Sequence, residues 1–268
     1  MSHMAIDYVL AVGCQPQKLL GVERLVELNR TRILARSALA HMEGDGVDKP
    51  PSEIQIQLTT QRAGATTGGG VTLQDLLDQA KPLDEVTHHC ATCPADLKRE
   101  LACHRRIRYP IPEHVEQWLM ARLPTHLACT AGALLVRGLG EFGWDGEPVA
   151  RLRAAGNTYF ESRVAHGVRW EAEDGKGHIE LSSDTLLQMM FFVGRTLQPT
   201  HSLMISLFLG VIPHDTDLHL LKDGPGRAKA LARSYLPTES DPDIEQLAAF
   251  LRMLALGAQL DVPVLVDG

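Results

Sequence analysis

The tightest constraint in this chain is a knot of metal-ligating side chains. His88-His89-Cys90-Ala91-Thr92-Cys93-Pro94 is followed by Cys103-His104. A Cys-x-x-Cys pair on a tight turn aims two thiolates at one point, and a third thiolate ten residues further on can close the site. Zinc takes four tetrahedral ligands, and three cysteines with one histidine are an ordinary structural set. Cys90, Cys93 and Cys103 are therefore expected to hold zinc. His88 is the favoured fourth ligand, because from two residues before Cys90 its ring can swing back. His89 ranks next, then His104 and Cys129. A loop over about 81–106 follows from this, pinned by metal, since between the ligands only Ala91, Ala95, Leu97, Leu101 and Ala102 are apolar.

The site reads as structural. Catalytic zinc keeps an open position and draws mainly on histidine and carboxylate. The thiolate-rich exception, the deaminase site, needs a His-x-Glu that neither His88 nor His89 begins. An iron–sulfur cluster is the other metal reading. It favours four cysteines, so Cys14 or Cys129 would have to complete it.

Cysteine usage also bears on the compartment. The five cysteines are an odd set with three bunched together, unlike an oxidised framework, and no targeting pattern is visible. A reducing, cytoplasmic setting is expected. The formal charge of −7 and pI near 5.9 argue against a nucleic-acid partner held by phosphate contacts. A local basic flank remains, formed by Lys98, Arg99, Arg105, Arg106 and Arg108. The most apolar stretch, Leu186 to Ile212, carries Arg195, Gln198, Pro199 and His201, which argues against a membrane span.

Hydrophobic periodicity predicts an α+β fold with a mixed sheet. Ile6–Val12 reads as a buried strand. A helix over Gln17–His41 follows, with Leu19, Val22, Val26 and Ile33 on one face and Leu25 and Leu28 flanking it. Ile54, Ile56 and Leu58 alternate as a strand. Ala63–Gly70 reads as a loop, and Thr72 with Asp75 caps a short helix. Ile107–Tyr109 reads as a strand, Pro112–Leu123 as a helix, and Ala133–Val136 as a strand. This order matches a ferredoxin-like unit with the zinc loop inserted between its middle strands. It suggests an α+β domain over 1–140 and a mainly helical domain with a short sheet over 141–268. In the latter, Phe160–Glu171 alternates as strand, four helices follow, and Val262–Val266 is a last strand.

Other polar groups carry weaker signals. Cys14 sits between a predicted strand and a helix, where a thiol can become nucleophilic, but no arginine lies at phosphatase spacing. His214, Asp215, Asp217 and His219 could converge on a turn. Glu161 and His166 would face opposite ways on a regular strand. The expectation is thus a zinc-binding protein that acts as an interaction, assembly or regulatory module. Its basic flank would meet a protein partner. The alternatives are a hydrolytic enzyme using Cys14 or the His214, Asp217 and His219 loop, with zinc bracing the fold, and an iron–sulfur redox protein.

Overall fold

The computed structural model describes residues 5–62, 65–97, 99–156, 158–171, 178–231 and 236–267, with side chains left aside at 58–68. The elements run β1 (Ala5–Leu10), α1 (Gln15–Leu20), α2 (Val22–Gly44), β2 (Gln55–Arg62), β3 (Ala65–Thr72), α3 (Leu73–Ala80), β4 (His104–Arg108), α4 (Glu113–Met120), α5 (Thr130–Phe142), α6 (Glu147–Ala154), β5 (Gly167–Glu171), β6 (His178–Ser182), α7 (Ser183–Phe191), β7 (Thr196–Leu197), α8 (Pro199–Phe208), α9 (Gly224–Leu231), α10 (Pro242–Leu260) and β8 (Val264–Asp267). The expected α+β class holds, with helix at 53% against strand at 15% and a helical C-terminal part. Among the described residues, no helix is long and apolar enough to cross a membrane.

By contacts the chain forms two compact units. Gly13–Ala102 make one; the flanking Met4–Val12 and Cys103–Gly268 make the other.

In the Gly13–Ala102 unit the predicted long helix is broken. Gly21, at φ +76°, separates α1 from α2, a conformation that glycine adopts without steric cost. The break resets the buried face. Leu25 and Leu28 are fully buried, whereas Leu19, expected inside, is 56% exposed. Leu25 and Leu28 form a small core with Leu83 and Leu101, against which Leu20 and Cys90 pack. The other end of α2 rests on α3 through Ala35, Leu73 and Leu76, with Ile54, Ile56 and Val71 alongside. Thr72 and Asp75 form the expected capping box, each side chain bonded to the other's backbone N–H. The predicted loop over Ala63–Gly70 is a strand from Ala65 onward, β3, paired antiparallel with β2; 63–64 lie outside the described residues. Pairing with β2 supplies what small residues such as Gly68, Gly69 and Gly70 lack in intrinsic strand preference.

The second unit is built on a four-stranded antiparallel sheet in the order β4-β1-β8-β7. β1, inside the sheet, is buried on both faces, which explains why its residues do not alternate between apolar and polar; its one charged residue, Asp7, is buried as well. Helix α10 covers the sheet. Tyr8 of β1 meets the ring of Phe250 edge-on at 4.9 Å. A Cβ on Gly257 would lie 3.2 Å from side-chain carbons of Leu10 and Val264, so glycine lets the helix approach closely.

The ferredoxin-like arrangement does not form. β2 and β3 make a hairpin of their own in the other unit, and Ala133–Val136 lies in α5. A four-residue apolar run cannot by itself separate a buried strand from a buried helix segment. Phe160 makes only a single bridge to Ile111, and β5 starts at Gly167. Of the four C-terminal helices expected, the one the pattern places over Gly226–Tyr235 has its end on 232–235, outside the described residues; α9 runs to Leu231.

A buried ionic cluster ties α4, α6 and α7 together. The Arg153 guanidinium donates to both oxygens of Glu116 at 3.0 and 2.6 Å. It donates twice to Asp184 Oδ1, at 3.0 and 2.6 Å. A fifth bond goes to the Ser162 carbonyl at 2.7 Å. Ser183 Oγ donates to Glu116 at 2.7 Å, and Phe160 lies under the guanidinium. Burial pulls the Arg153 pKa down, but the hydrogen bonds and charges of the two carboxylates outweigh it and hold the group protonated.

Candidate metal centre

Cys90 and Cys93 lie where a 3-10 helix, Thr87–Thr92, ends. The Cys93 N–H donates to the Cys90 carbonyl at 3.2 Å, which closes the tight turn that the Cys-x-x-Cys spacing implies. Both side chains are half-buried. Cys90 backs onto the Leu25, Leu28, Leu83 and Leu101 core, and its sulfur accepts the Leu101 N–H at 3.4 Å. Leu101 presents that N–H from a left-handed conformation, φ +50°, which is uncommon for a leucine. Burial pushes the Cys90 thiol up, the Leu101 N–H pulls it down, and the charges of Cys14, Cys93 and Glu100 push it up.

Cys14 belongs to the same unit. It is buried (7% exposed) at the N-cap of α1, and α1 packs on the Thr87–Thr92 helix. His88 is exposed, and its ring leans on His89 at 3.9 Å between centroids. Cys14, Cys90 and Cys93 do not all fall within 4.8 Å of one another. Four sulfurs around one zinc at 2.3 Å sit about 3.8 Å apart.

The remaining candidates have other local roles. Cys103 is buried in the second unit, where its carbonyl accepts the Leu10 N–H. His104 is buried with Nε2 3.0 Å from Asp7 Oδ1, which Arg106 also meets at 3.3 Å. Cys129 caps α5: its sulfur accepts the Gly132 N–H at 3.3 Å, and its thiol donates to the His126 carbonyl at 3.4 Å. A Cβ on Gly132 would come within 2.5 Å of the Leu127 backbone, so that turn is closely built.

The His214–His219 segment does not assemble a site. His214 Nε2 lies 3.2 Å from the Phe208 carbonyl. Asp217 caps a 3-10 turn by accepting the His219 N–H at 2.8 Å, and Asp215, Asp217 and His219 are exposed. The two best-defined depressions, of about 270 and 280 Å³, are lined by other residues.

Of the basic flank, Arg106 meets Asp7, and Arg108 binds Gln246 and Asp243. Arg99 and Arg105 are exposed, and Lys98 lies outside the described residues.

Two groupings were not legible in the sequence. His114, Asp241 and Asp243 bring ligand atoms within 4.8 Å of one another, but they are far apart in the chain. Each already has a structural task. Asp241 caps α10 through the N–H groups of Asp243 and Ile244, His114 Nε2 sits 3.3 Å from Asp241, and Asp243 pairs with Arg108. Glu161 and His166, expected on opposite faces, both meet Glu113. Glu161 accepts its N–H at 3.1 Å, and His166 Nε2 lies 3.5 Å from its carboxylate. The segment between them is not a regular strand, so alternation does not govern where they point.

Compared with models of known protein families, with curated proteins and with solved structures, the chain has no significant match. The chemistry of the residues therefore carries the functional reading. The half-buried Cys90–Cys93 turn, with an amide already bonded to one sulfur, offers two thiols of a chemistry that could hold a soft divalent metal or an iron–sulfur centre.

Proposed function

We propose that this is a metal-binding protein whose metal is structural zinc. Cys90 and Cys93 would hold it, and Cys103 is nominated by its spacing in the sequence alone. The observation that carries the reading is the Cys90–Cys93 turn, in which the Leu101 N–H is directed at Cys90. Thiolate binding would release a proton from each cysteine and fix a segment with little apolar content of its own. Such a centre suits a protein that works by presenting a surface, in a reducing compartment such as the cytoplasm, to a protein partner. Arg99 and Arg105 are the exposed positive charges of the flank available for that contact.

Elemental analysis of protein purified without chelators tests this directly. About one zinc per chain is expected, and Cys93→Ser should release it and lower the unfolding temperature. Protein that stays metal-free after anaerobic reconstitution with zinc, or a Cys93→Ser variant with unchanged metal content, would overturn the proposal.

A second reading, an iron–sulfur centre, is favoured by one observation. The unit holds a third cysteine, Cys14, and the sulfurs of Cys14, Cys90 and Cys93 do not all lie within 4.8 Å of one another. In a cluster the cysteine sulfurs are shared among several irons, so they need not all lie as close together as around one zinc. A brown protein containing iron and acid-labile sulfide, isolated without oxygen, would select it.

A further inference from the structure

We propose that this protein self-associates through the outer edge of β2, two copies pairing antiparallel about a twofold axis into one sheet of order β3-β2-β2-β3. The inference does not depend on the metal-binding reading.

The register of the β2–β3 ribbon decides which backbone groups are left over. β2 and β3 pair with each other, and among the described residues no third strand joins either. At the base of the ribbon the Leu73 N–H donates to the Ile54 carbonyl at 2.9 Å, which marks that pair as a bonded rung. Antiparallel rungs alternate between bonded and non-bonded pairs. The bonded ones are therefore Ile56 with Val71, Leu58 with Gly69, Thr60 with Thr67 and Arg62 with Ala65. Gln55, Gln57, Thr59 and Gln61 aim their N–H and carbonyl groups away from β3. On the β3 side the same alternation turns Thr66, Gly68, Gly70 and Thr72 outward. The Thr72 N–H agrees, since it bonds the Asp75 carboxylate at 3.0 Å rather than β2.

The ribbon is backed at its base alone. Ile54, Ile56 and Val71 pack beside Ala35, Leu73 and Leu76. At Gly69, which shares the face of Val71, a Cβ would meet nothing within 4 Å. Gln57 and Gly70, on the opposite face, are exposed. A two-stranded ribbon without a packed face is marginal in water and gains stability from further strands.

Charge selects the occupant. Strand edges are ordinarily guarded against pairing by charges, proline or brevity. The other strands here follow that rule. β4 carries Arg105, Arg106 and Arg108, β7 has two residues, and β5 and β6 carry Arg169, Glu171, His178 and Glu180. From Gln55 to Thr72 the sole charged residue is Arg62. In a chain of net charge −7, copies repel each other least where charge is sparse. A single positive charge along the ribbon gives little purchase to nucleic acid. An antiparallel edge is complementary to itself, because a twofold axis sets each outward N–H of one copy against an outward carbonyl of the other. β2 is the edge used, since Gly68 and Gly70 weaken β3 as a pairing strand and Asp75 already occupies Thr72.

Sedimentation velocity of the full chain over a rising concentration series tests this, with amide hydrogen exchange measured alongside. The variants are Thr59→Pro, Gln57→Lys and Gly68→Pro. Proline at 59 removes an outward N–H and no rung bond, which an edge strand tolerates. Lysine at 57 leaves the backbone intact and sets like charges near the axis, so it decides the matter if the proline variant fails to fold. Each change acts twice in a twofold pair. Wild type should pass from monomer to dimer, with exchange at 57, 59 and 61 slowing as dimer forms. Thr59→Pro and Gln57→Lys should weaken the dimer at least about tenfold, with far-ultraviolet circular dichroism unchanged. Gly68→Pro should dimerise like wild type. A wild type that stays monomeric throughout would overturn the inference. So would a dimer indifferent to Gln57→Lys, a dimer lost in Gly68→Pro, or growth past the dimer into larger species.

Discussion

Replacing Arg153 with methionine should be among the most damaging single changes available to the second unit. The substitution keeps an unbranched side chain of moderate volume but removes the positive charge that pairs with both Glu116 and Asp184. All three side chains are almost fully buried, with exposures of 4%, 0% and 8% respectively. The guanidinium makes five hydrogen bonds to these carboxylates and the Ser162 carbonyl. Without it, two like charges are left facing each other out of water. Breaking a buried pair in this way costs about 3–5 kcal/mol. In a folding unit of 150–250 residues each kcal/mol moves the midpoint by about 2–4 °C, so the melting temperature should fall by about 10 °C. Thermal unfolding followed by circular dichroism at neutral pH measures this. The reasoning also fixes a double-variant result. Arg153→Met combined with Glu116→Met removes a carboxylate along with its partner and should be less damaging than the sum of the two single changes. A loss below about 0.5 kcal/mol for Arg153→Met, within the range of ordinary surface changes, would refute the argument. So would single losses that simply add.

Three further outcomes follow from the geometry. Gly146 has φ +80°, and a Cβ there would lie 2.8 Å from the Thr185 backbone nitrogen. Gly146→Ala should therefore cost about 2–3 kcal/mol, against about 1 kcal/mol for Gly143→Ala, where φ is +63° and the space is open; equal losses in urea unfolding would contradict the close approach. Thr72→Ala removes one half of the α3 capping box and should destabilise the Gly13–Ala102 unit by about 1 kcal/mol, while Thr72→Ser should recover most of it. The Asp241 carboxyl is held below its ordinary value by the Ile244 N–H first, then by the Asp243 N–H and His114. Its stabilising effect is present above the unfolded value near pH 4 and is lost as pH falls through the lower folded value. Asp241→Asn should consequently flatten the acid side of a plot of melting temperature against pH, and an unchanged acid slope would count against the cap.

Local chemistry made some of the fold legible and long-range pairing hid the rest. β1 is readable because a strand buried on both faces shows no strict alternation, and β8 because its short Val264-Leu265-Val266 run is β-branched and apolar. The capping box at Thr72 and the turn at Cys90–Cys93 are set by residues three apart, a separation at which sequence fixes contact. Gly21 lies within the span of the predicted helix, where its positive φ splits the element; Val26, Leu25 and Leu28 are buried as the pattern suggests, but Leu19 is left exposed. β3 went unread because its glycines and threonines gain strand structure only from β2. The site divided in the same way. Spacing marks Cys90 and Cys93, whereas the packing of α1 on the Thr87–Thr92 helix is long-range and no local pattern announces it. The convergence of Glu113, Glu161 and His166 likewise depends on an irregular segment that no periodicity describes.

The strand order of the sheet has a consequence for synthesis. β1 is made first and pairs with β4 only after the whole Gly13–Ala102 unit has been translated between them. Its other edge is covered by β8, whose residues Val264–Asp267 emerge after every other strand. A ribosome-bound chain halted before residue 264 would therefore carry β1 with a bare hydrogen-bonding edge, and β7 would have no strand to join it to the sheet. Such an edge invites pairing with another chain. A chain lacking Val264–Asp267 should therefore self-associate through the uncovered β1 edge, and a holdase that covers this edge until β8 arrives would matter more than the speed at which any helix forms.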